Sequence, residues 1–225
     1  MDIGKSFTFM FDDEDWITKI LVGALFVLAS MVLVGIPFLI GYTIALMRNV
    51  MAGMEKPLPA WDELGEKFKE GFILILIIIV WLVPVWIIMC LQWIVTLAFQ
   101  SNYDAAGIIS TVSICTSCLS GIWGLVVALF TPAIYIRFTN NPEFKSGFEF
   151  AELWQFTKDN IGNVIIAILL GWVASIVAQF GVILCVIGWF ATTFWAMVVQ
   201  GHLYAQVWQD RKGVLPDPIE MEPVE

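Results

Sequence analysis

The sequence predicts an all-α membrane protein: a polytopic helical bundle with six spans in three hairpins and short amphipathic helices at the membrane interface. Hydrophobic residues make up 60% of the 225 residues and charged residues only 14%, whereas soluble domains carry about 25% charged residues. The mean hydropathy is +0.86. So few charges cannot cover a water-exposed surface, and long uncharged runs alternate with short charged segments. Both observations indicate a lipid-facing exterior.

The segment Leu58–Phe72 shows the predicted unit most clearly. Trp61, Leu64 and Phe68 recur at helical spacing and form one apolar stripe, while most of the other positions are charged. A long uncharged run begins directly after Gly71. A short amphipathic helix that leads into a long apolar one is typical of a helix in the membrane interface followed by a span. A solvated loop helix is the alternative.

The first long apolar run, Ile17–Met47, follows a short acidic head and is interrupted at Gly35-Ile36-Pro37. As one helix it would be about 46 Å long, too long for a hydrocarbon core about 30 Å thick without strong tilt or a kink. Glycine is typical of a helix end and proline of a helix start. The break therefore favours a tight helical hairpin, with one kinked span as the alternative.

The rest of the chain supplies two further hairpins. Phe72–Gln100 and Ala105–Phe138 are joined by a polar turn at 101–104, and Ile161–Phe180 and Ile183–Val207 are joined around Gly181. We therefore expect one integral membrane domain over residues 1–212. The tail, 213–225, is acidic and rich in proline and is predicted to be disordered.

The basic residues predict the topology. With six helices and both termini in the cytoplasm, all 11 lysines and arginines lie on the inner side, and the three outer turns carry none. Five helices would place Lys5 and Lys19 outside. The positive-inside rule counts basic residues and gives acids little weight, so six spans in the cytoplasmic membrane are favoured.

The chain also shows self-similarity, which is typical of repeat architectures. A shift of 89 positions aligns Arg48 with Arg137, Lys56 with Lys145, Glu63-Leu64 with Glu152-Leu153, and Lys69 with Lys158. The predicted units cover about 8–50, 58–138 and 148–210. Chance similarity in a chain of biased composition is the alternative.

Net charge and cysteine placement exclude several classes. The net charge of −9 argues against nucleic-acid binding and against a polybasic site for anionic lipids. All four cysteines lie inside apolar segments, which disfavours a secreted disulfide framework.

The chain resembles a known family over most of its length, most sharply from Gly41 to Phe72. Gly41-Tyr42, Arg48, Gly53, Leu58-Pro59-Ala60-Trp61-Asp62 and Gly71-Phe72, with an exit at Pro132 to Arg137, are similar to a prokaryotic membrane family known as domain of unknown function 4013. The second half departs from the pattern, because Phe148-Glu149-Phe150 replaces the Leu-Pro-x-Trp-Asp core. The resemblance implies a multi-pass protein of the cytoplasmic membrane. It transfers no catalytic residue.

Two sets of residues are the candidates for recognition and packing. The candidate interface at the cytoplasmic face consists of Trp61, Asp62, Glu63, Leu64, Phe68, Glu152, Leu153 and Trp154. The candidate packing stripe consists of small residues three or four positions apart: Gly107, Ser110, Ser117, Gly121 and Gly124. Such a stripe lets another helix approach closely, either in the same chain or in a neighbouring copy. A path-lining role for the stripe is the alternative.

Catalytic and metal-binding constellations are not evident in the sequence. His202 is the only histidine, and a metal site needs three or four ligands. Cys115 and Cys118 form a CxxC pair inside a span, which indicates small packing residues rather than a redox centre.

No charged residue lies deep in a predicted span, whereas coupled transporters generally bury such groups. We therefore expect a non-enzymatic membrane scaffold or accessory subunit without cofactors. Its expected partners are membrane lipids and a membrane protein or a second copy, with recognition at the cytoplasmic face. A passive channel or carrier for a small solute is the alternative.

Overall fold

The protein is all-helical in a computed structural model that describes residues 1–99 and 105–211, with side chains outside 184–187. Within these residues the α-helices are α1 (Ile3–Thr8), α2 (Trp16–Ala29), α3 (Gly35–Met51), α4 (Leu64–Phe99), α5 (Ala106–Asn140), α6 (Phe150–Asp159), α7 (Ile161–Gln179) and α8 (Cys185–Gln209). Short 3₁₀ turns lie at Phe9–Asp12, Ser30–Val32, Phe144–Phe148 and Phe180–Leu184. The predicted turn at 101–104 and the predicted disordered tail at 213–225 lie outside the described residues.

The break at Gly35-Ile36-Pro37 separates two helices rather than kinking one. Leu33 adopts the left-handed conformation, with φ of 65°, and ends the 3₁₀ turn after α2. α3 then begins at Gly35, with Pro37 in its first turn, where no hydrogen-bond donor is required. The two helices run antiparallel, and the rings of Phe26 and Phe38 lie 4.9 Å apart. Residues 17–47 therefore form two separate helices joined by a short turn, rather than one kinked helix.

The separate amphipathic helix predicted over Leu58–Phe72 is wrong. Residues 58–63 are not helical, and α4 runs without interruption from Leu64 to Phe99. Two prolines restrict the backbone before the helix, and Glu63 has a positive φ of 43°. The charged positions after Leu64 therefore form the first two turns of the long apolar helix.

The second predicted interfacial segment differs from the first. α6 is a separate helix of ten residues that ends at Asp159, with one residue, Asn160, between it and the start of α7. Its apolar residues Leu153 and Phe156 are buried, whereas Lys158 and Asp159 are exposed. The three repeat units predicted from the sequence remain a prediction. The segment at 58–72 and α6, which the shift of 89 positions aligns, fold differently.

The hydrophobic core lies at one end of the bundle. Its largest fully buried side chains include Tyr42, Ile44, Leu46 and Met47 on α3, together with Phe194 on α8. α3 and α8 lie side by side, and a Cβ added to Gly201 would stand 2.7 Å from Thr43 Cγ2. α4, α5 and α7 complete this core.

α4 and α5 extend well beyond the core. Burial on α4 ends at Trp81, and the helical part of α5 is buried only from Val127 onward. We call residues 82–99 and 106–126 the distal arm. Its two helices run antiparallel, because Gln92 Nε2 donates to Ser113 Oγ at 2.7 Å and Trp123 Nε1 donates to the Trp81 carbonyl at 2.8 Å.

Several helices are suited to a membrane. By length and composition α4, α5 and the stretch Ile161–Ile183 can each cross one. The segments Ile3–Asp12 and Trp16–Val32, bent by 103° relative to each other, would together make a fourth span. The described residues thus contain three to four candidate spans, and the six spans predicted from sequence are not evident from helix length alone.

Two glycines set the distance between α3 and α4. A Cβ at Gly41 would collide with the backbone of Lys67, and a Cβ at Gly71 would collide with the carbonyl of Pro37. The backbones therefore touch directly over two turns, in the manner of small-residue packing between membrane helices. This contact fixes the start of α4 against the middle of α3.

We expect Gly71→Ala to destabilise the protein by about 1–3 kcal/mol, because the added methyl group must push α3 and α4 apart. Gly65→Ala is the matched control on the same helix, since nothing lies within 4 Å of a Cβ there. The control should be neutral or gain up to about 1 kcal/mol from helix propensity. Unfolding midpoints measured by circular dichroism in detergent would compare the two. Equal midpoints would contradict the close-contact account.

Candidate functional site at the charged end of the bundle

The loop between α3 and α4 is fixed by three consecutive backbone carbonyls. Pro57 O accepts from Asn49 Nδ2 at 3.1 Å, Leu58 O from Lys19 Nζ at 2.9 Å, and Pro59 O from Tyr42 Oη at 2.9 Å. All three loop residues are buried. Proline has no N–H group, so the two prolines bury acceptors without burying unpaired donors. This local chemistry explains why a Pro-Leu-Pro segment can pack against the bundle.

Trp61 forms the centre of an aromatic cluster at the end of this loop. Its ring stacks on Tyr42 with centroids 4.3 Å apart and on Phe26 with centroids 4.6 Å apart. Its Nε1 donates to the Lys19 carbonyl at 2.8 Å. Phe194 of α8 lies 5.7 Å from the ring. Trp61 therefore joins α2, α3 and α8, and it is a packing residue rather than a free membrane anchor.

Two ion pairs lie beside the loop. Lys67 is 3% exposed, and its Nζ donates to both the carbonyl and the carboxylate of Asp62, at 2.7 and 2.9 Å. That hydrogen bond holds the pKa of the Asp62 carboxyl below its ordinary value. Arg48 pairs with the buried Glu70 at 2.8 Å. Removing one partner of such a pair leaves a charge in a poorly solvated site.

A separate ion-pair group joins α5 to α6. Arg137 contacts Glu149 at 2.5 Å and Glu152 at 2.7 Å. Close by, Trp81 Nε1 donates to the Gly147 carbonyl at 2.9 Å, which ties the 3₁₀ turn before α6 to α4. Arg137, like Arg48, lies in the last turn of its helix, where a cation is favoured by the helix dipole.

The predicted interface residues divide into inward-facing and outward-facing groups. Trp61, Glu152 and Leu153 take part in internal contacts, and Leu153 is only 1% exposed. Asp62 is exposed but paired with Lys67. The outward-facing members are Glu63, Leu64, Phe68 and Trp154, of which Trp154 is 61% exposed.

The two predicted interface segments pack on different helices. The segment around Trp61 packs on α2, α3 and α8, whereas α6 packs on α5 and α7. Sequence reasoning also missed Lys19 and Asn49, which hold the loop. Neither residue carries a motif, so only the folded contacts identify them.

The predicted packing stripe lies on the distal arm, where its glycines face away from the rest of the chain and Ser117 lies beside α4. Gly107, Ser110, Ser117 and Gly121 are exposed and Gly124 is half-buried. Nothing described lies within 4 Å of a Cβ built on any of the three glycines. The three glycines therefore do not mediate the α4–α5 contact, and their surface is available to an outside group.

A groove of about 400 Å³ opens between the two helices of the arm. It is lined by Met89, Gln92, Trp93, Thr96, Thr116, Ser117 and Ser120. Six of these seven side chains carry neutral hydrogen-bonding groups, Met89 being the exception, and none is charged. The groove is thus a polar feature on an otherwise apolar arm.

His202 lies at the opposite, charged end. It is 3% exposed, its Nδ1 lies 3.1 Å from Ser6 Oγ, and its ring stacks on Phe9. Gln206 Nε2 donates to the Asp2 carbonyl at 3.0 Å. These contacts dock α1 and the following turn on α8, so His202 has a structural partner.

We expect Tyr42→Phe to loosen the α3–α4 loop, because it leaves the Pro59 carbonyl without its donor in a buried site. The expected loss is about 1 kcal/mol of stability, with faster hydrogen–deuterium exchange at residues 54–63. Tyr135→Phe is the control, since the Tyr135 hydroxyl has no hydrogen-bond partner among the residues placed by the structure. Unchanged exchange in Tyr42→Phe would mean that the loop is held by other contacts.

Comparison with known proteins identifies a family for this chain. Searches against curated proteins and against solved structures returned no match. A family model described as a protein of unknown function, DUF4013, matches residues 24–187. That range includes α3, the α3–α4 loop and α4, where the residues similar to the family pattern meet: Gly41 and Gly71 at the helix contact, and Tyr42, Pro59 and Trp61 in the loop. The chain belongs to the DUF4013 family.

Proposed function

We propose that the protein is a multi-pass scaffold or accessory subunit of the cytoplasmic membrane that recognises a partner at its charged end. The supporting observation is the charge balance of the surface there. Four of its cations, Lys19, Arg48, Lys67 and Arg137, are held in internal contacts. The carboxylates that remain exposed therefore outnumber the exposed lysines.

The excess of acid is clear from the exposed residues of the described ranges. The exposed carboxylates are Asp2, Asp12, Glu14, Asp15, Glu55, Asp62, Glu63, Glu66, Glu143, Asp159 and Asp210. The exposed lysines are Lys5, Lys56, Lys69, Lys145 and Lys158. An acidic surface of this kind attracts a basic segment of a partner, and the attraction weakens as salt rises.

In the proposed topology α2, α3, α4, α5, α7 and α8 each cross the membrane and both termini are cytoplasmic. The distribution of lysine and arginine supports it, because this arrangement places all 11 on one side. α2 and α3 have 14 and 17 residues, or about 21 and 26 Å, so the bilayer must thin around them.

Single cysteines at Thr8, Asn102 and Glu220 in a cysteine-free background would test this topology. An impermeant maleimide added to intact cells should label only Asn102→Cys, and disrupted cells should show labelling at all three. Labelling of Thr8→Cys in intact cells would support five spans and contradict the proposal.

A charge-reversal variant would test the proposed recognition. We expect Asp15→Lys with Glu66→Lys to abolish co-purification of a membrane partner after mild solubilisation, because both side chains are exposed and belong to no ion pair in the described chain. Asp15→Asn with Glu66→Gln is the matched control and should weaken capture only partly. Rising salt should release the partner from the unmodified protein. A partner retained equally by all three proteins would contradict the proposal.

A passive channel or carrier is the alternative function, and it needs a continuous polar route. The groove on the arm extends inward only to Ser120, and a second polar cavity begins at Thr131, between α3, α5 and α8. These positions are about 16 Å apart along α5. The two cavities have no lining residue in common. Solute flux through vesicles containing only the purified protein would favour the channel over the scaffold.

A further inference from the structure

The groove on the distal arm carries polar groups that the protein itself leaves unused. The hydroxyls of Thr96, Ser117 and Ser120 have no hydrogen-bond partner within the described ranges. Serine and threonine on membrane helices usually bond to the carbonyl of the preceding turn, as Thr111 and Thr131 do in this protein. Three open hydroxyls facing one groove are costly in hydrocarbon.

The position of the groove across the membrane explains how these hydroxyl groups are tolerated. Gln92 is 22 residues after Glu70 on α4, which corresponds to about 33 Å along a helix. Ser117 is 20 residues before Arg137 on α5, which corresponds to about 30 Å. Both distances match the thickness of the hydrocarbon core. Two helices thus independently place the groove at the headgroup level of the leaflet opposite the charged end, in the proposed topology.

The chemistry of the lining defines what fits there. Gln92 is already engaged, since its Nε2 donates to Ser113 and its Oε1 accepts from Thr116. The remaining surface consists of three hydroxyls, the exposed indole of Trp93 and the thioether of Met89. A volume of about 400 Å³ is in the range of small-molecule sites.

The lack of lysine and arginine around the groove argues against the commonest lipid headgroups, which carry a phosphate. Between Glu70 and Arg137 the sequence holds one charged residue, Asp104, and no lysine or arginine. Recognition of a phosphate requires cationic or backbone donors, and helix interiors such as these have no free backbone N–H groups. The groove therefore discriminates against anionic lipids.

We propose that this groove binds the uncharged, hydroxyl-rich headgroup of a membrane lipid, such as a sugar-bearing diacylglycerol. The hydroxyls of Thr96, Ser117 and Ser120 bond to the headgroup hydroxyls, and the Trp93 ring covers one face of the sugar. The acyl chains lie along the apolar outer surfaces of α4 and α5, which include Trp86 and Leu125, both more than 60% exposed. No reaction is involved.

Native mass spectrometry of the full-length protein in detergent would test the site. The probes are monoglucosyl diacylglycerol, phosphatidylglycerol with the same acyl chains, and free methyl glucoside. We expect the glucolipid to bind at least tenfold more tightly than phosphatidylglycerol, and the free sugar to bind too weakly to detect. Equal binding of the two lipids would overturn the proposal, and so would tight binding of the free sugar.

Substitutions inside and outside the groove would show whether the glucolipid binds there. Ser117→Leu fills the groove and should reduce glucolipid affinity at least tenfold, whereas Ser110→Leu, an exposed position on the same helix outside the groove, should leave it unchanged. Thr96→Val removes one hydroxyl at constant shape and should reduce affinity several-fold. Unchanged binding in both Ser117→Leu and Thr96→Val would overturn the proposal. A dimer that only Ser117→Leu dissociates, with lipid affinity unaffected, would assign the groove to a second copy instead.

The lipid measurement is independent of the proposed function. Binding in detergent requires neither a partner nor a particular orientation in the cell. Labelling of Thr8→Cys in intact cells would therefore contradict the topology while leaving the lipid site standing. Loss of selectivity for the glucolipid would overturn the lipid site and leave the scaffold proposal intact.

Discussion

The direct backbone contact between α3 and α4 is the constraint on which the rest of the structure depends. Because Gly41 and Gly71 carry no side chain, the start of α4 lies against the middle of α3. In this position Lys67 reaches back to Asp62, and the loop between the helices must turn beneath Tyr42 and accept its hydroxyl. The loop then presents Trp61 to α2 and α8. A larger residue at either glycine would shift every one of these contacts.

The helical class and the position of the first break could be predicted from the sequence, since composition and the Gly-Ile-Pro signal reflect local chemistry. The start of α4 could not. The apolar spacing of Trp61, Leu64 and Phe68 fits a helix that begins near Leu58, but tertiary hydrogen bonds to consecutive loop carbonyls outweigh that spacing. Similarly, the spacing of the small residues on α5 indicates a packing surface but does not say which side of the helix meets α4. For the candidate interface, periodicity could not show that Leu153 and Glu152 turn inward.

Burial is uneven along α4 and α5. The part of each helix near the charged end has different neighbours from the part in the distal arm. Near the charged end they are enclosed by α3, the 3₁₀ turn before α6 and α7. Farther out, each has only the other as a protein neighbour among the described residues, so lipid must supply the remaining contacts. At 36 and 35 residues, or about 54 and 53 Å, these helices exceed a hydrocarbon core about 30 Å thick, even with the charged turns discounted. In the proposed topology the groove lies at the far headgroups, so the outer ends of α4 and α5 reach past them.

The central place of α8 has a consequence for how the chain assembles during synthesis. Among the described helices α8 leaves the ribosome last, yet it supplies the neighbour of α3 at Gly201, of α2 at Phe194 and of α1 at His202. Until it inserts, Gly23 and Thr43 of the first two apolar helices face lipid or a chaperone. In the proposed topology the early helices therefore remain partly assembled in the membrane until α8 inserts. A ribosome that stalls before residue 194 would release a chain without a closed core, which quality-control proteases can recognise.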